Sequence, residues 1–304
     1  MKLMRFRRSS QRSAVSGLGE ENFALRLVIP ALVIEFLFVF VPLGVGLYYS
    51  LHSVRFFQVG DFVGLDNYLS VLRSPTVLNS FMVTAIFSFG SLILTFTVGF
   101  ALALHLERDC KSSVFMRAVV LVPYVISMLV GSLLLKWILS QDSGVPQTIL
   151  GPMGITDFSV FANPSSAMGA LIYNAVWRDS AFAMILLLAG LKSIPLELYG
   201  AAQVDGASAW YRFRRLTLPL LKMPMLITLV RLLMHFINSL TFQLILTAGG
   251  PVNSTETVAL RTFRLGFEDY QLGRANSLSF VVFLINVVLI ILLIRMFRPT
   301  EKLQ

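Results

Sequence analysis

Apolar residues run along this chain in long stretches separated by shorter polar segments. A helix of about 20 mostly apolar residues crosses the hydrocarbon core of a bilayer. Six stretches reach that length: Leu27–Leu51, Phe81–Leu106, Val114–Leu139, Ala167–Leu191, Met225–Thr247 and Ser277–Met296. The fourth is the weakest by composition, because Asn174, Arg178 and Asp179 interrupt it. The first exceeds the roughly 7–15-residue apolar core of a secretory signal and has no small-residue cleavage site after it, so it reads as an uncleaved anchor. The pattern predicts an all-α integral membrane protein, a six-helix bundle over residues 27–298 between a basic tail, 1–26, and a short tail, 299–304.

Composition agrees. Of 304 residues, 56% are hydrophobic and 13% charged, where a soluble domain carries about a quarter charged residues. A single cysteine, Cys110, rules out an intrachain disulfide. It falls in a segment read as cytoplasmic, where a free thiol is ordinary.

The formal charge of +9 could suggest nucleic acid, but the positions of the charges point to topology instead. With the amino terminus inside, 17 of the 25 lysines and arginines fall in the cytoplasmic segments and five in the outer ones. The outer loop from Ser140 to Ser166 has none. The positive-inside rule therefore puts both termini in the cytoplasm of a multi-pass protein in the inner (cell) membrane. No nucleic-acid partner is expected, and membrane lipid is.

The chain has no Gly-Lys pair, so no phosphate-binding P-loop, and no HExxH or CxxC. His52, His105 and His235 lie in separate segments without metal-ligand spacing. No catalytic residue and no metal site is predicted. Any energy for transport has to come from another chain or an ion gradient. An ion-coupled carrier acting alone is one alternative, although Glu35 and Asp179 are its only carboxylates inside spans. A structural membrane subunit or a membrane enzyme is another.

Between the fourth and fifth stretches, residues 193–224 carry the densest local signal. Pro195 favours helix initiation, and Leu196–Val204 reads as a short helix with Gly200, Ala201 and Ala202 at its middle. Asp205-Gly206 is a turn dipeptide. A second short helix puts Trp210, Phe213 and Thr217 on one face, and Leu218-Pro219 ends the projection. Physics alone allows two uses: a small-residue surface for close approach by another protein, or an interfacial helix with its arginines on lipid phosphates.

The spacing Gly200-Ala201-Ala202-Gln203-Val204-Asp205-Gly206-Ala207, followed by Leu218-Pro219, resembles the EAAxxDGA…LP loop of type I ATP-binding-cassette (ABC) importer permeases. Gly200 replaces the family's glutamate, and Glu197 stands almost one turn earlier. Phe62-Val63-Gly64-Leu65-Asp66-Asn67-Tyr68, Leu246-Thr247-Ala248-Gly249-Gly250-Pro251 with Thr255-Glu256, and Gly273-Arg274-Ala275-Asn276-Ser277-Leu278-Ser279 resemble further tracts of the sugar-importer permeases, in order and on the matching sides of the membrane.

The resemblance implies a MetI-like permease fold and a subunit forming half of a translocation path for a carbohydrate delivered by an extracytoplasmic binding protein. It implies a second, different permease chain and an ABC ATPase dimer that uses the ATP and Mg, with no cofactor held by this chain. Glu197, Tyr199, Gly200, Ala201, Ala202, Asp205, Gly206, Ala207, Leu218 and Pro219 would form the ATPase-coupling element. A non-sugar solute such as glycerol phosphate is an alternative cargo.

For the substrate path, Arg231, His235 and Asn238 fall on one face of the fifth stretch, and Asn174 and Arg178 share a face of the fourth. Asn286 and Asn276 in the sixth and Glu35 in the first are further candidates. Each has an alternative reading as a hydrogen bond between helices, and Arg231 as a side chain that snorkels to phosphates. Outside, Arg261, Arg264, Glu268 and Asp269 are candidates for salt bridges to the binding protein.

Overall fold

Without water to satisfy them, backbone amides and carbonyls inside a bilayer pair within helices, and the long apolar stretches fold accordingly. The structure is a computed structural model that describes residues 27–141, 144–150, 152 and 159–297. The expected tails, 1–26 and 299–304, and the middle of the outer loop at 140–166 lie outside the described residues.

In chain order the elements are α1 (Leu27–Ser50), β1 (His52–Arg55), β2 (Gln58–Phe62), α2 (Asp66–Leu72) and α3 (Pro75–His105). Then come α4 (Lys111–Val125), α5 (Met128–Ile138), α6 (Val145–Leu150), α7 (Pro164–Lys192) and α8 (Leu196–Val204). The last are α9 (Ala209–Leu220), α10 (Lys222–Ile237), α11 (Thr241–Leu246), α12 (Val258–Phe263, extended by a π-helical turn at Arg264–Glu268) and α13 (Leu272–Phe297).

Helices α1, α3, α7 and α13 are each long and apolar enough to cross a membrane unaided. Two of the six expected spans are not single helices. The third, Val114–Leu139, is split into α4 and α5 with a bend of 92°. Pro123 removes one backbone donor near the end of α4, and Ile126 and Ser127 then run extended, at ψ 138° and 135°. The fifth, Met225–Thr247, stops at Ile237 and resumes only at Thr241, as the short helix α11. Its amino-terminal end is also bent, by 62° between α9 and α10. The expected all-α chain also holds a two-stranded antiparallel hairpin, β1–β2, between α1 and α2.

α7 is the least apolar of the four long helices and the most buried of them. The polar residues that weaken it as a lipid-facing span are tolerated because it sits at the centre of the bundle, packed along α3. Phe87 of α3, Leu171 of α7, Leu232 and Phe236 of α10, and Phe242 and Leu246 of α11 form the main core. A second cluster joins Ala103 of α3, Met184, Leu187 and Leu191 of α7, and Leu221 at the root of the α8–α9 projection. α1, by contrast, carries large apolar side chains exposed all round it, a surface suited to lipid or a partner helix.

The chain ends of α3, α4 and α7 are tied together on one side of the molecule. Arg117 of α4 donates to the carbonyls of Leu106, Glu107 and Arg108, which follow α3. Arg117 and Lys192 both reach Asp109, at 3.1 and 2.5 Å. Lys192 and Arg117 hold the exposed Asp109 carboxyl below the usual carboxylate range.

Candidate functional site

Helix α8 is the short helix expected from Pro195 and Asp205-Gly206. Its carboxyl end closes as a Schellman motif: the Ala207 N–H donates to Ala202 O at 2.9 Å and the Gly206 N–H to Gln203 O at 3.1 Å. That pairing places Gly206 at the left-handed position, with φ +75°, where a Cβ is strained. Ser208 then caps α9, its Oγ accepting from the Tyr211 N–H at 3.3 Å. The spacing Ala202, Gly206, Ala207, Ser208 is thus the stop signal of one helix and the start of the next.

The two arms are braced at their base. Tyr199 Oη lies 2.9 Å from Thr217 Oγ1, and the Phe213 ring is 6.2 Å from that of Phe100 in α3. Beyond the brace, Leu196, Glu197, Gly200, Ala201, Val204, Asp205, Gly206, Trp210 and Tyr211 are exposed, while Ala202, Ala207 and Tyr199 are half-buried. A Cβ added at Gly200 or Gly206 meets nothing within 4 Å. Leu218-Pro219 lies within the last turn of α9 and does not end it; the chain bends at Leu221, whose side chain is fully buried.

The polar side chains expected along the substrate path separate into two places and one internal bond. Arg178, Arg231 and His235 surround a cavity of about 150 Å³ together with Asp179, Tyr124 and Phe182. Asp179 is nearly fully buried and bridges two of them: Arg178 Nη1 at 3.1 Å and His235 Nε2 at 3.4 Å. The Arg178 guanidinium lies 5.0 Å over the Tyr124 ring, and that of Arg231 lies 5.5 Å over the Phe182 ring.

Asn238 and Asn286 lie elsewhere, 3.3 Å apart between Nδ2 of Asn286 and Oδ1 of Asn238. With Asn276, Ser279 and Thr262 they line a groove of about 550 Å³ between α10, α12 and α13. The expected shared face of Arg231, His235 and Asn238 is therefore divided, because the helix stops at Ile237 and Asn238 begins the break. Asn174 is buried and donates to Ser132 Oγ at 3.1 Å, a bond between α7 and α5. Glu35 is exposed on α1, far in sequence from either site.

The remaining sequence tracts build two corners, one where α1, β1 and α2 meet the start of α13 and one in the loop before α12. Asn67 Nδ2 donates to the carbonyls of Ser50 and His52, both at 2.9 Å, and Tyr68 Oη lies 2.7 Å from Ser50 Oγ. Gly273 approaches this corner so closely that a Cβ there would lie 2.5 Å from His52 O. In the loop after α11, Glu256 is buried and holds Arg264 at 2.5 Å and Arg261 at 3.7 Å. Glu268 and Asp269 face the same arginines, at 3.5 and 3.9 Å. These four charged residues, candidates for salt bridges to the binding protein, also make ion pairs within the chain, and Glu268 and Asp269 stay exposed.

Tyr124, Phe182 and the paired role of Asp179 were not identified from sequence. Their contacts join α4, α7 and α10, and only the interruption of a long apolar stretch by Arg178-Asp179 marked the place.

Residues 95–299 match the family described as "Binding-protein-dependent transport system inner membrane component". The trehalose/maltose transport system permease protein MalF of Thermococcus litoralis is 32% identical over 281 residues, 92% of this chain and 95% of that protein. The sn-glycerol-3-phosphate transport system permease protein UgpA of Salmonella typhimurium is 31% identical, over 91% of this chain and 95% of that one. The sulfoquinovosyl glycerol transport system permease protein SmoG of Agrobacterium fabrum is 28% identical over 93% of each. Among solved structures, a bacterial ABC transporter for import of the acidic polysaccharide alginate superposes with a TM-score of 0.81, at 21% identity, over 96% of this chain and 100% of that chain. A fold of four long helices and two bent pairs, matched along most of its length, places the chain among the type I ABC importer permeases: it belongs to the binding-protein-dependent transport system inner membrane component family.

Proposed function

We propose that this chain forms one half of the membrane pathway of an ATP-driven importer for a carbohydrate. Both termini lie in the cytoplasm, and a binding protein delivers the solute at the outer face. A second, different permease chain completes the pathway, and an ABC ATPase dimer beneath supplies the energy with its own ATP and Mg.

The observation that carries this reading is the α8–α9 projection. Leu196, Val204 and Trp210 are 79%, 89% and 68% exposed on a short element that stands away from the core. Small residues and a capped turn leave its backbone open to another protein's surface. Such apolar exposure marks an interaction site. In this reading Glu197, Gly200, Ala201, Asp205 and Gly206 face the ATPase, and Tyr199, Leu218 and Pro219 hold the projection in place. ATP binding draws two such projections together, and the cavity between the permease chains changes the side to which it opens.

Two sites contribute to the path: the groove at Asn238, Asn276 and Asn286, and the charged cavity at Arg178, Arg231 and His235. Polar side chains in the hydrocarbon region are costly and line cavities or meet other polar groups.

Affinity purification of the tagged chain from native membranes in mild detergent tests the reading. A second permease and an ABC ATPase in fixed ratio are the expected companions. A chain that purifies alone and forms no ATPase crosslink in intact cells would contradict it and favour an ion-coupled carrier.

A further inference from the structure

The charges around the small cavity do not balance. Among the described residues Asp179 is the one carboxylate lining it, against Arg178 and Arg231. That carboxylate is already committed to Arg178 and His235. Arg231 has no hydrogen bond or ion pair among the described residues, only the face of Phe182. It is nonetheless exposed, on a mostly apolar helix whose other polar residues are Lys222, Thr228 and His235. Nine residues separate it from Lys222 at the start of α10, about 14 Å along the axis. Counted from Met225, where the fifth apolar stretch begins, Arg231 is six residues or about 9 Å in, which in the importer reading is inside a hydrocarbon core of about 30 Å.

A free guanidinium inside the hydrocarbon region is costly against lipid, so Arg231 faces water, the partner chain or a ligand. One further polar atom at the cavity, Arg178 Nε, is buried without a hydrogen-bond partner among the described residues, while Asp179 Oδ2 and His235 Nε2 face each other at 3.4 Å. The cavity, about 150 Å³, is below the 300–1,000 Å³ of a site that encloses a whole small molecule. It suits one acidic group rather than a sugar ring.

We infer that this cavity is an acidic-group subsite of the translocation path, and that the imported solute is a carbohydrate or polyol bearing a phosphate, sulfonate or carboxylate. The inference rests on the importer reading above and narrows its cargo. Arg231 supplies the unpaired charge and Arg178 its second positive neighbour, while Asp179 anchors Arg178 and offsets its charge. His235 closes the cavity beside the acid. An arginine fork matches the oxygens of such groups in a way that a neutral hydroxyl does not reproduce.

The test uses the complete complex with its binding protein in proteoliposomes. ATP-dependent uptake is measured for sn-glycerol 3-phosphate, a 6-sulfo sugar and a glucuronate-containing disaccharide, against maltose and glycerol. Uptake of an acidic solute and none of the neutral ones is expected. Arg231→Gln is then expected to lower that uptake at least tenfold, with Arg231→Lys retaining more of it. Co-purification of each variant with the ATPase separates loss of the site from loss of assembly, and a variant that fails to assemble is replaced by Arg178→Lys under the same readout. Uptake of the neutral solutes alone, or acidic uptake unchanged in assembled Arg231→Gln, overturns the subsite and leaves the importer reading standing. A complex without ATPase and without ATP-dependent uptake overturns both.

Discussion

Gly99 fixes how closely the two central helices approach. A Cβ at that position of α3 would lie 2.4 Å from the Ala183 Cβ, 2.9 Å from Ser180 O and 3.1 Å from Met184 N in α7. Carbon atoms rest at about 3.5–4.0 Å, so Gly99→Ala overlaps its neighbour by about 1 Å. None of the three atoms belongs to a flexible side-chain end, and α3 and α7 must separate. Overpacking of this kind costs about 1–3 kcal/mol, and alanine returns up to about 1 kcal/mol of helix propensity. The net expectation is a loss of about 1–2 kcal/mol if the overpacking lies in the upper part of its range. Ala183→Gly in the same chain removes the shortest contact and should recover part of the loss, so the two changes are non-additive by more than about 0.5 kcal/mol. Thermal unfolding of the purified complex in lipid nanodiscs measures each variant. A Gly99→Ala chain that melts at or above the native midpoint would refute the packing argument.

Three other predictions test separate parts of the structure. At Gly206, where only the left-handed backbone is demanding, Gly206→Asn should keep most substrate-stimulated ATP hydrolysis and Gly206→Val should lose it; equal loss in both would assign the position to surface crowding instead. Asp109, whose pKa is depressed by Lys192 and Arg117, contributes stability that is present above its unfolded pKa and is lost as pH falls through the lower folded value. The melting midpoint should therefore depend less on pH in that acid range in Asp109→Asn than in the native chain, by a small amount because the pair is exposed to solvent. Gly273→Ala, which brings a Cβ to 2.5 Å from His52 O, should loosen the β1–β2 corner and increase proteolysis of that hairpin.

How much of this was legible depended on whether the signal was local. Leu196–Val204 emerged with its limits intact, because Pro195 starts it and the Asp205-Gly206 turn stops it within ten residues. The four long helices followed from length and hydropathy. The break between Val125 and Met128 did not, although Pro123 stood near it: a run of apolar residues looks the same whether it crosses straight or turns by 92°. The hairpin at 52–62 was hidden by its brevity. At the charged cavity, Arg178, Arg231 and His235 were visible as polar interruptions. Their division from Asn238 was not, because helical spacing was extended across a helix end. The pairing of Arg261 and Arg264 with Glu256 joins α12 to the loop before it, a contact that charge position alone did not show.

The most direct test of the coupling role is a photocrosslink from the projection itself. Position 200 is exposed and has no atom within 4 Å of its Cβ, so a benzoylphenylalanine placed there should leave the fold intact. Position 169, near the opposite end of α7, is similarly open and serves as the control. Irradiation of intact cells should join position 200, and not position 169, to the ABC ATPase. A crosslink from position 200 to lipid alone, or to the extracytoplasmic binding protein, would contradict the coupling role and the orientation together.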